Sequence, residues 1–325
     1  MTIYFITGGF GFLGQYIVRS IHRYDPQAEI RVLVRTQRKT FLDLHEMDHV
    51  ITWVQGELTK PESFAGYLVG VDIVIHNAAM VLFSPTRRNE IYNSNVIGTR
   101  NLAQAALQAG CTNFIFISSI SALEFRPPKI TDETCIPDLE NKNKYDIYGY
   151  TKRLSELELI GMKDNIRVII LNPSVILGPG SERVEAAINT ARKFPVIPMM
   201  DYINAFVDVR DVANAVVLSL TRGRSGERYI VSTNNVSMVE FTRIIVKHLG
   251  KKSHVTPLSP VGIKIFDGFI ALLDTLHLNP GIRRPSHMNV DKPCSNQKIM
   301  AEMGWVAKYS LDRSIIDSIN RVDDE

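Results

Sequence analysis

A doubly wound parallel α/β fold is predicted for this 325-residue chain by three features of its amino-terminal half. Short apolar runs rich in Ile, Val and Phe alternate with longer amphipathic stretches, so each strand is followed by a helix that carries the chain back to a parallel partner. Two runs, Val71–Ile75 and Phe114–Ile117, are almost continuously apolar, the pattern of strands covered on both faces. A glycine-rich turn, Thr7–Gly14, follows the first run at once and precedes the first helical pattern.

Strands are expected at 2–6, 30–35, 50–54, 71–76, 113–118 and 166–171, with helices near 12–24, 61–70, 86–109 and 150–163. After Leu171 the texture changes: Asn172-Pro173, Gly178-Pro179-Gly180, Pro195 and Pro198 favour loops over further regular units. The stretches Phe206–Leu218 and Arg228–Val231 are expected to rejoin the sheet. The division expected is therefore residues 1–171 plus about 206–235 as the dinucleotide-binding domain. About 172–205 plus 236–325 then form a smaller, discontinuous carboxyl-terminal substrate-binding cap over the strand ends.

Thirty-seven Lys and Arg against 34 Asp and Glu leave a formal charge of +3. So mild a balance, with the cations scattered, argues against nucleic acid as a partner. Cys111, Cys135 and Cys294 are odd in number and widely spaced, which predicts neither a disulfide framework nor a metal site. The most apolar late stretch, Val261–Leu273, is interrupted by Lys264 and Asp267 and falls short of the about 18 unbroken apolar residues of a spanning helix. A core or pocket-lining helix is expected there, with no membrane span. The first residues carry no export signal, so a cytoplasmic protein is expected.

In the glycine turn, Gly8 suits a backbone conformation closed to side chains, Gly11 permits close approach of a pyrophosphate, and Gly14 lets the helix lie against the strand. The helix amino terminus then offers free N–H groups to the phosphates. This is the signature of a Rossmann dinucleotide site. Selectivity is expected at the end of the second strand, where an NAD site presents a carboxylate to the ribose. Here the chain reads Val32-Leu33-Val34-Arg35, with Arg38 and Lys39 just beyond. Arginine pairs with a 2′-phosphate, so NADP(H) is favoured over NAD(H). Glu57, after the third strand, is expected near the adenine edge.

Tyr148 and Lys152, four residues apart, share one face of a helix. A cation beside a phenol favours the ionised form, so the pair can exchange a proton with a substrate oxygen. Ser118-Ser119 closes the fifth strand, where ligands bind in such sheets.

Taken in order, Thr7–Gly14, His76–Ala79, Asn95–Thr99, Ser118-Ser119, Tyr148–Lys152, Asn172-Pro173 with Gly178–Gly180, Phe206–Ala213 and Gly304-Trp305 resemble the extended short-chain dehydrogenase/reductase family, also called the epimerase/dehydratase superfamily. The resemblance implies a catalytic triad of Ser119, Tyr148 and Lys152, the serine being second of its pair. Besides the glycines, Arg35, Arg38 and Glu57, it implies cofactor contacts at Phe12, Leu13, Leu58, Ala78, Ala79, Tyr148, Lys152, Pro173 and Val175. By the resemblance the helices at 86–109 and 150–163 would make the four-helix interface of a homodimer; the alternative is that their apolar faces simply cover the sheet.

Within the family, the Val34-Arg35 strand ending and the phrase Asn172–Pro179 look most like the dihydroflavonol-reductase and 3β-hydroxysteroid-dehydrogenase branch. Sugar-nucleotide members usually carry a phosphate-binding arginine just before the phrase matching Phe206–Asp208. This chain has Asp201–Ala205 there, with Arg183 and Arg192 as candidate substitutes. Val81, Leu82 and Phe83 after the fourth strand, Met199 and Met200, and Phe266 and Phe269 would suit an apolar small-molecule substrate. The function expected is NADP(H)-dependent interconversion of a carbonyl and a secondary alcohol. The alternatives are a nucleotide-sugar epimerase or dehydratase that retains its cofactor, and a non-catalytic dinucleotide sensor.

Overall fold

The computed structural model describes residues 1–36, 42, 49–81, 87–141, 146–276 and 290–324. The apolar runs form β1 (Ile3–Thr7), β2 (Glu29–Val34), β3 (Ile51–Gln55), β4 (Ile73–His76), β5 (Asn113–Ile117) and β6 (Arg167–Pro173). Beyond them lie β7 (Val175–Leu177), β8 (Val196–Met199), β9 (Ile203–Asp208) and β10 (Glu227–Val231). Seven of these strands make one sheet in the order β10-β6-β5-β4-β1-β2-β3, and every pairing in it is parallel. The order reverses at β1, which leaves a crevice at the carboxyl ends of β1 and β4.

The continuous apolar runs are explained by two cores. In β5, Ile115 and Ile117 enter the core shared with α1 (Phe12–Tyr24), while Phe114 and Phe116 enter the opposite one. That second core is closed by α3 (Gly98–Gln108), which follows α2 (Arg88–Tyr92) and a π-helical turn at Asn93–Ile97, and by α4 (Ile147–Ile160). The fold class read from the alternation is the one found.

After β6 the chain forms α5 (Glu182–Lys193) and α6 (Val209–Arg222), then β11 (Asn234–Ser237), α7 (Met238–His248), β12 (His254–Pro257) and α8 (Pro260–Thr275), and ends in α9 (Gln297–Met303) and α10 (Leu311–Asp324). β7, β9 and β11 make a three-stranded sheet, and β8 pairs with β12. A separate core of Val184, Ile188, Phe206, Phe241, Ile245 and Ile315 joins α5, α7 and α10. Trp305 is fully buried and its indole N–H donates to Asp211 O at 3.0 Å, which anchors the end of α9 on α6.

Several local expectations change. The stretch 61–70 forms two short 3₁₀ turns, Pro61–Ser63 and Ala65–Leu68, because the Ser63 hydroxyl accepts from Glu57 N at 2.9 Å and Gly70 turns out of the helix at φ +77°. The catalytic helix starts at Ile147 rather than 150, since Asp146 Oδ1 caps it by accepting from Gly149 N at 3.1 Å. Phe206–Leu218 splits between β9, in the small sheet, and α6, against α1; only β10 rejoins the main sheet. Val261–Leu273 does form a helix, but Phe266 and Phe269 are 42% and 53% exposed and Ile270 alone in that stretch is fully buried, so it is not a core helix. No helix among the described residues is long and apolar enough to cross a membrane.

Candidate active site

The glycine turn folds as its spacing requires. Gly8 has φ +71°, and a Cβ there would lie 2.8 Å from Ala78 N. A Cβ on Gly14 would lie 2.0 Å from Gly8 O, so only glycine lets α1 cross this close. Gly11 differs: the one atom within 4 Å of its Cβ would be Gly8 O, at 3.2 Å, and the residue lines a cleft of about 480 Å³. Phe12, Leu13 and Gly14 open α1, where backbone N–H groups lack helical acceptors. The Leu13 side chain is buried in the core, so its offering to the cleft is the backbone. Leu58, Ala78 and Ala79 line the same cleft. Thr7 Oγ1 accepts from Ala78 N at 3.1 Å and so ties the end of β1 to the loop after β4.

Arg35 lines the far end of the cleft, with Glu57 beside it. The Glu57 carboxylate is held by Lys60 at 3.1 Å, and that contact, with Arg35 acting more weakly, keeps its pKa below the usual carboxylate range. Glu57 thus lines the cleft while facing a lysine. Arg38, Leu82 and Phe83 lie outside the described residues. The shape, the three glycines and the helix terminus fit a dinucleotide, and the absence of an acidic residue at the end of β2 fits one carrying a 2′-phosphate.

Asn95 extends the cleft toward the catalytic helix. Its Oδ1 accepts from Met80 N at 2.7 Å, and its Nδ2 donates to Thr151 Oγ1 at 3.1 Å. Ser119 follows β5; its Oγ accepts from Ser121 N at 3.1 Å, and the residue stands near enough to the Tyr148 hydroxyl to pull its pKa down. One turn on, Lys152 is buried, with Nζ donating to Ile117 O at 2.7 Å and standing 4.6 Å from the Phe116 ring centre. The three residues of the expected triad are therefore brought together at the carboxyl end of β5. Pro173 ends β6 and Val175 opens β7, close to Asn172, whose Nδ2 donates to Ser119 O at 2.9 Å.

The electrostatics differ from the simple pair. Burial pushes the Tyr148 phenol up to about 12, opposed by the Ser119 hydrogen bond and, more weakly, by Arg183. The cation that eases its ionisation is Arg183 on α5, while the Lys152 ammonium is turned to the β5 carbonyl. Burial also pulls Lys152 down to about 7, against the upward pull of Glu156. His76 bridges Thr7 and Thr99 at 2.7 and 2.9 Å, and burial holds it at about 3, so it is a neutral structural group. Val81 is exposed, Met199 and Met200 are half-buried at the end of β8, and Met199 packs against the separate core of α5, α7 and α10. Phe266 and Phe269 stand on the outside of α8. Sequence reasoning missed Asn95, Asn172 and Glu156 as organisers of the site. Their signal was three polar side chains among buried neighbours, with Glu156 one turn after Lys152.

A crevice at the strand reversal, floored by a glycine turn and flanked by a Ser–Tyr–Lys cluster, defines a dinucleotide-binding enzyme of the doubly wound class. Residues 4–232 match the NAD dependent epimerase/dehydratase family, and the chain belongs to it. Sterol demethylase protein B of Methylococcus capsulatus is 27% identical over 290 residues, covering 87% of this chain and 85% of that protein. A putative dihydroflavonol 4-reductase of Synechocystis sp. is 30% identical over 244 residues, covering 72% and 69%. The crystal structure of a dTDP-glucose 4,6-dehydratase from Streptomyces venezuelae with NAD and TYD bound superposes with a TM-score of 0.81 at 19% identity, covering 100% of this chain and 98% of that one. The last likeness is one of fold. The family read from the motifs is thus the one found, and it unites NAD(P)-dependent oxidoreductases with epimerases and dehydratases.

Proposed function

We propose that this chain is an NADP(H)-dependent carbonyl reductase or alcohol dehydrogenase for a largely apolar small molecule. The observation that carries the reading is the convergence of Ser119, Tyr148 and Lys152 at the carboxyl end of β5, where Ser119 acts on the Tyr148 phenol and the Lys152 ammonium, one helical turn on, donates to Ile117 O at 2.7 Å. When bound, the nicotinamide supplies or accepts the hydride. The Ser119 hydroxyl orients the substrate oxygen, and the Tyr148 hydroxyl gives that oxygen its proton. Because Tyr148 titrates at about 12, it is a protonated donor at neutral pH, which suits reduction. Lys152 holds the nicotinamide ribose, the glycine turn holds the pyrophosphate, and Arg35 holds the 2′-phosphate. The described residues of about 172–205 and 236–276, Met199 and Met200 among them, would supply the cover for the substrate.

Arg35→Asp tests the cofactor assignment. Losing one charge-assisted phosphate contact removes about 1.5 to 3 kcal/mol, so the preference for NADPH over NADH should vanish or reverse. Equal affinity for the two cofactors in both proteins, measured by fluorescence titration, would show Arg35 to be outside the site.

The second reading, a sugar-nucleotide epimerase or dehydratase, draws on Arg183, an exposed cation near Tyr148. Arg192 offers it less, being paired with Asp323 of α10. A bulky apolar ketone or aldehyde is expected to oxidise NADPH stoichiometrically, while UDP- and dTDP-sugars neither bind at micromolar concentration nor isomerise. Tight UDP-sugar binding lost in Arg183→Ala, with no net change in nicotinamide absorbance, would decide for the second reading.

A further inference from the structure

Glu156, which takes no part in the proton transfer, is the most heavily coordinated buried group beneath the site. Its side chain is fully buried on α4, one turn beyond Lys152. Oε1 accepts from the Ser118 hydroxyl and from Asn172 Nδ2, each at 2.6 Å. Oε2 accepts from Arg153 Nη1 at 2.9 Å and from Arg228 Nη1 at 3.5 Å. Both guanidinium groups are themselves nearly buried. Such a cluster is a poor source of stability, because desolvation costs several kcal/mol per ion and an apolar set of equal volume is often as stable.

What the carboxylate touches is more informative. Asn172 Nδ2 donates to Glu156 and also to Ser119 O at 2.9 Å, while Ser118 is held by its hydroxyl. Ser119 is thereby restrained from both sides by contacts that converge on one oxygen. Lys152 feels the same carboxylate, which favours its charged form.

We propose that Glu156 is a positioning residue for the reaction: its carboxylate, bound by Ser118, Asn172 and two guanidinium groups, fixes the Ser118-Ser119 turn and sets the charge one helical turn beyond Lys152. The proposal rests on the reductase reading, in which Ser119 and Lys152 act on substrate and cofactor. The groups facing Lys152 are Glu156 on its own helix, His76 on β4, and the Phe116 ring and Ile117 carbonyl on β5. Arg153 and Arg228 face it through Glu156. His76 at about 3 and Tyr148 at about 12 do not titrate between pH 5 and 9, so a titration in that window belongs to Lys152.

The test is the ¹³Cε resonance of Lys152, assigned by its loss in Lys152→Met and titrated in cofactor-free protein. Glu156→Gln keeps the shape and removes the charge, and should lower the Lys152 midpoint by about one pH unit or more. Glu156→Asp keeps the charge and should restore most of the shift. The pH profile of carbonyl reduction should move the same way in each variant. An unchanged midpoint in folded Glu156→Gln overturns the proposal, as does a shifted midpoint with an unmoved rate profile. Should Glu156→Gln not fold, combining it with Arg228→Met removes the excess cation, and the same midpoint comparison decides. A shifted midpoint in a protein that reduces no carbonyl compound supports the hold of Glu156 on Lys152 and overturns the reductase reading instead.

Discussion

Tyr148→Phe is expected to bind NADPH as the wild type does and to lose about 10²- to 10⁴-fold in turnover, the usual worth of a positioned proton donor. Only the hydroxyl is removed, and the ring stays in a buried position that phenylalanine fills. The loss should fall on kcat rather than on cofactor affinity, because in the proposed mechanism the phenol meets the substrate oxygen, whereas the glycine turn and Arg35 that would hold the dinucleotide line the cleft without it. Lys152→Met should lower both, since the lysine serves ribose and proton together. Steady-state kinetics on a carbonyl substrate, with NADPH affinity measured separately, checks both variants. Wild-type turnover in Tyr148→Phe would overturn the mechanism and revive the dinucleotide-sensor reading.

Gly11→Val should abolish dinucleotide binding in a protein that still folds. Among the described residues a Cβ at Gly11 meets only Gly8 O, at 3.2 Å, and its φ of −71° is open to any residue, so the turn survives. On the cleft side the branched side chain occupies the path of the pyrophosphate. Steric overlap of about 1 to 3 kcal/mol corresponds to roughly 5- to 150-fold in affinity, and loss of the N–H contacts behind it adds to that. Gly14→Val would be a poor substitute for this experiment. Its Cβ would stand 2.0 Å from Gly8 O, so the backbone itself must move and a loss of binding would say nothing about the ligand. NADPH titration and thermal unfolding of Gly11→Val distinguish the two cases, and retained affinity would remove the turn from the site.

How far the site was legible follows from how local each signal is. The strands were readable because a doubly covered parallel strand has few polar positions, and the nucleotide turn because Gly8, Gly11 and Gly14 lie within one short segment between strand and helix. Tyr148 and Lys152 were readable together because four residues make about one helical turn. The exposed face of α8 was misjudged because apolar composition says that a helix seeks cover without saying whether any neighbour provides it. The stretch 61–70 was misjudged because a side-chain hydroxyl, Ser63, competes for backbone groups that a helix would use.

By itself the sequence determined the fold class, the family and the position of the glycine turn, since these depend on periodicity and on residues close together in the chain. Only the tertiary structure decided the electrostatics. Tyr148 rises to about 12 and Lys152 falls to about 7 because both are buried, and burial is a property of what packs around a residue. The cation that eases Tyr148 comes from α5, 35 positions later, and the carboxylate beneath Ser119 gathers Ser118, Asn172 and Arg228 from three strand ends. No spacing rule links such distant positions; the parallel sheet does, by bringing its strands side by side.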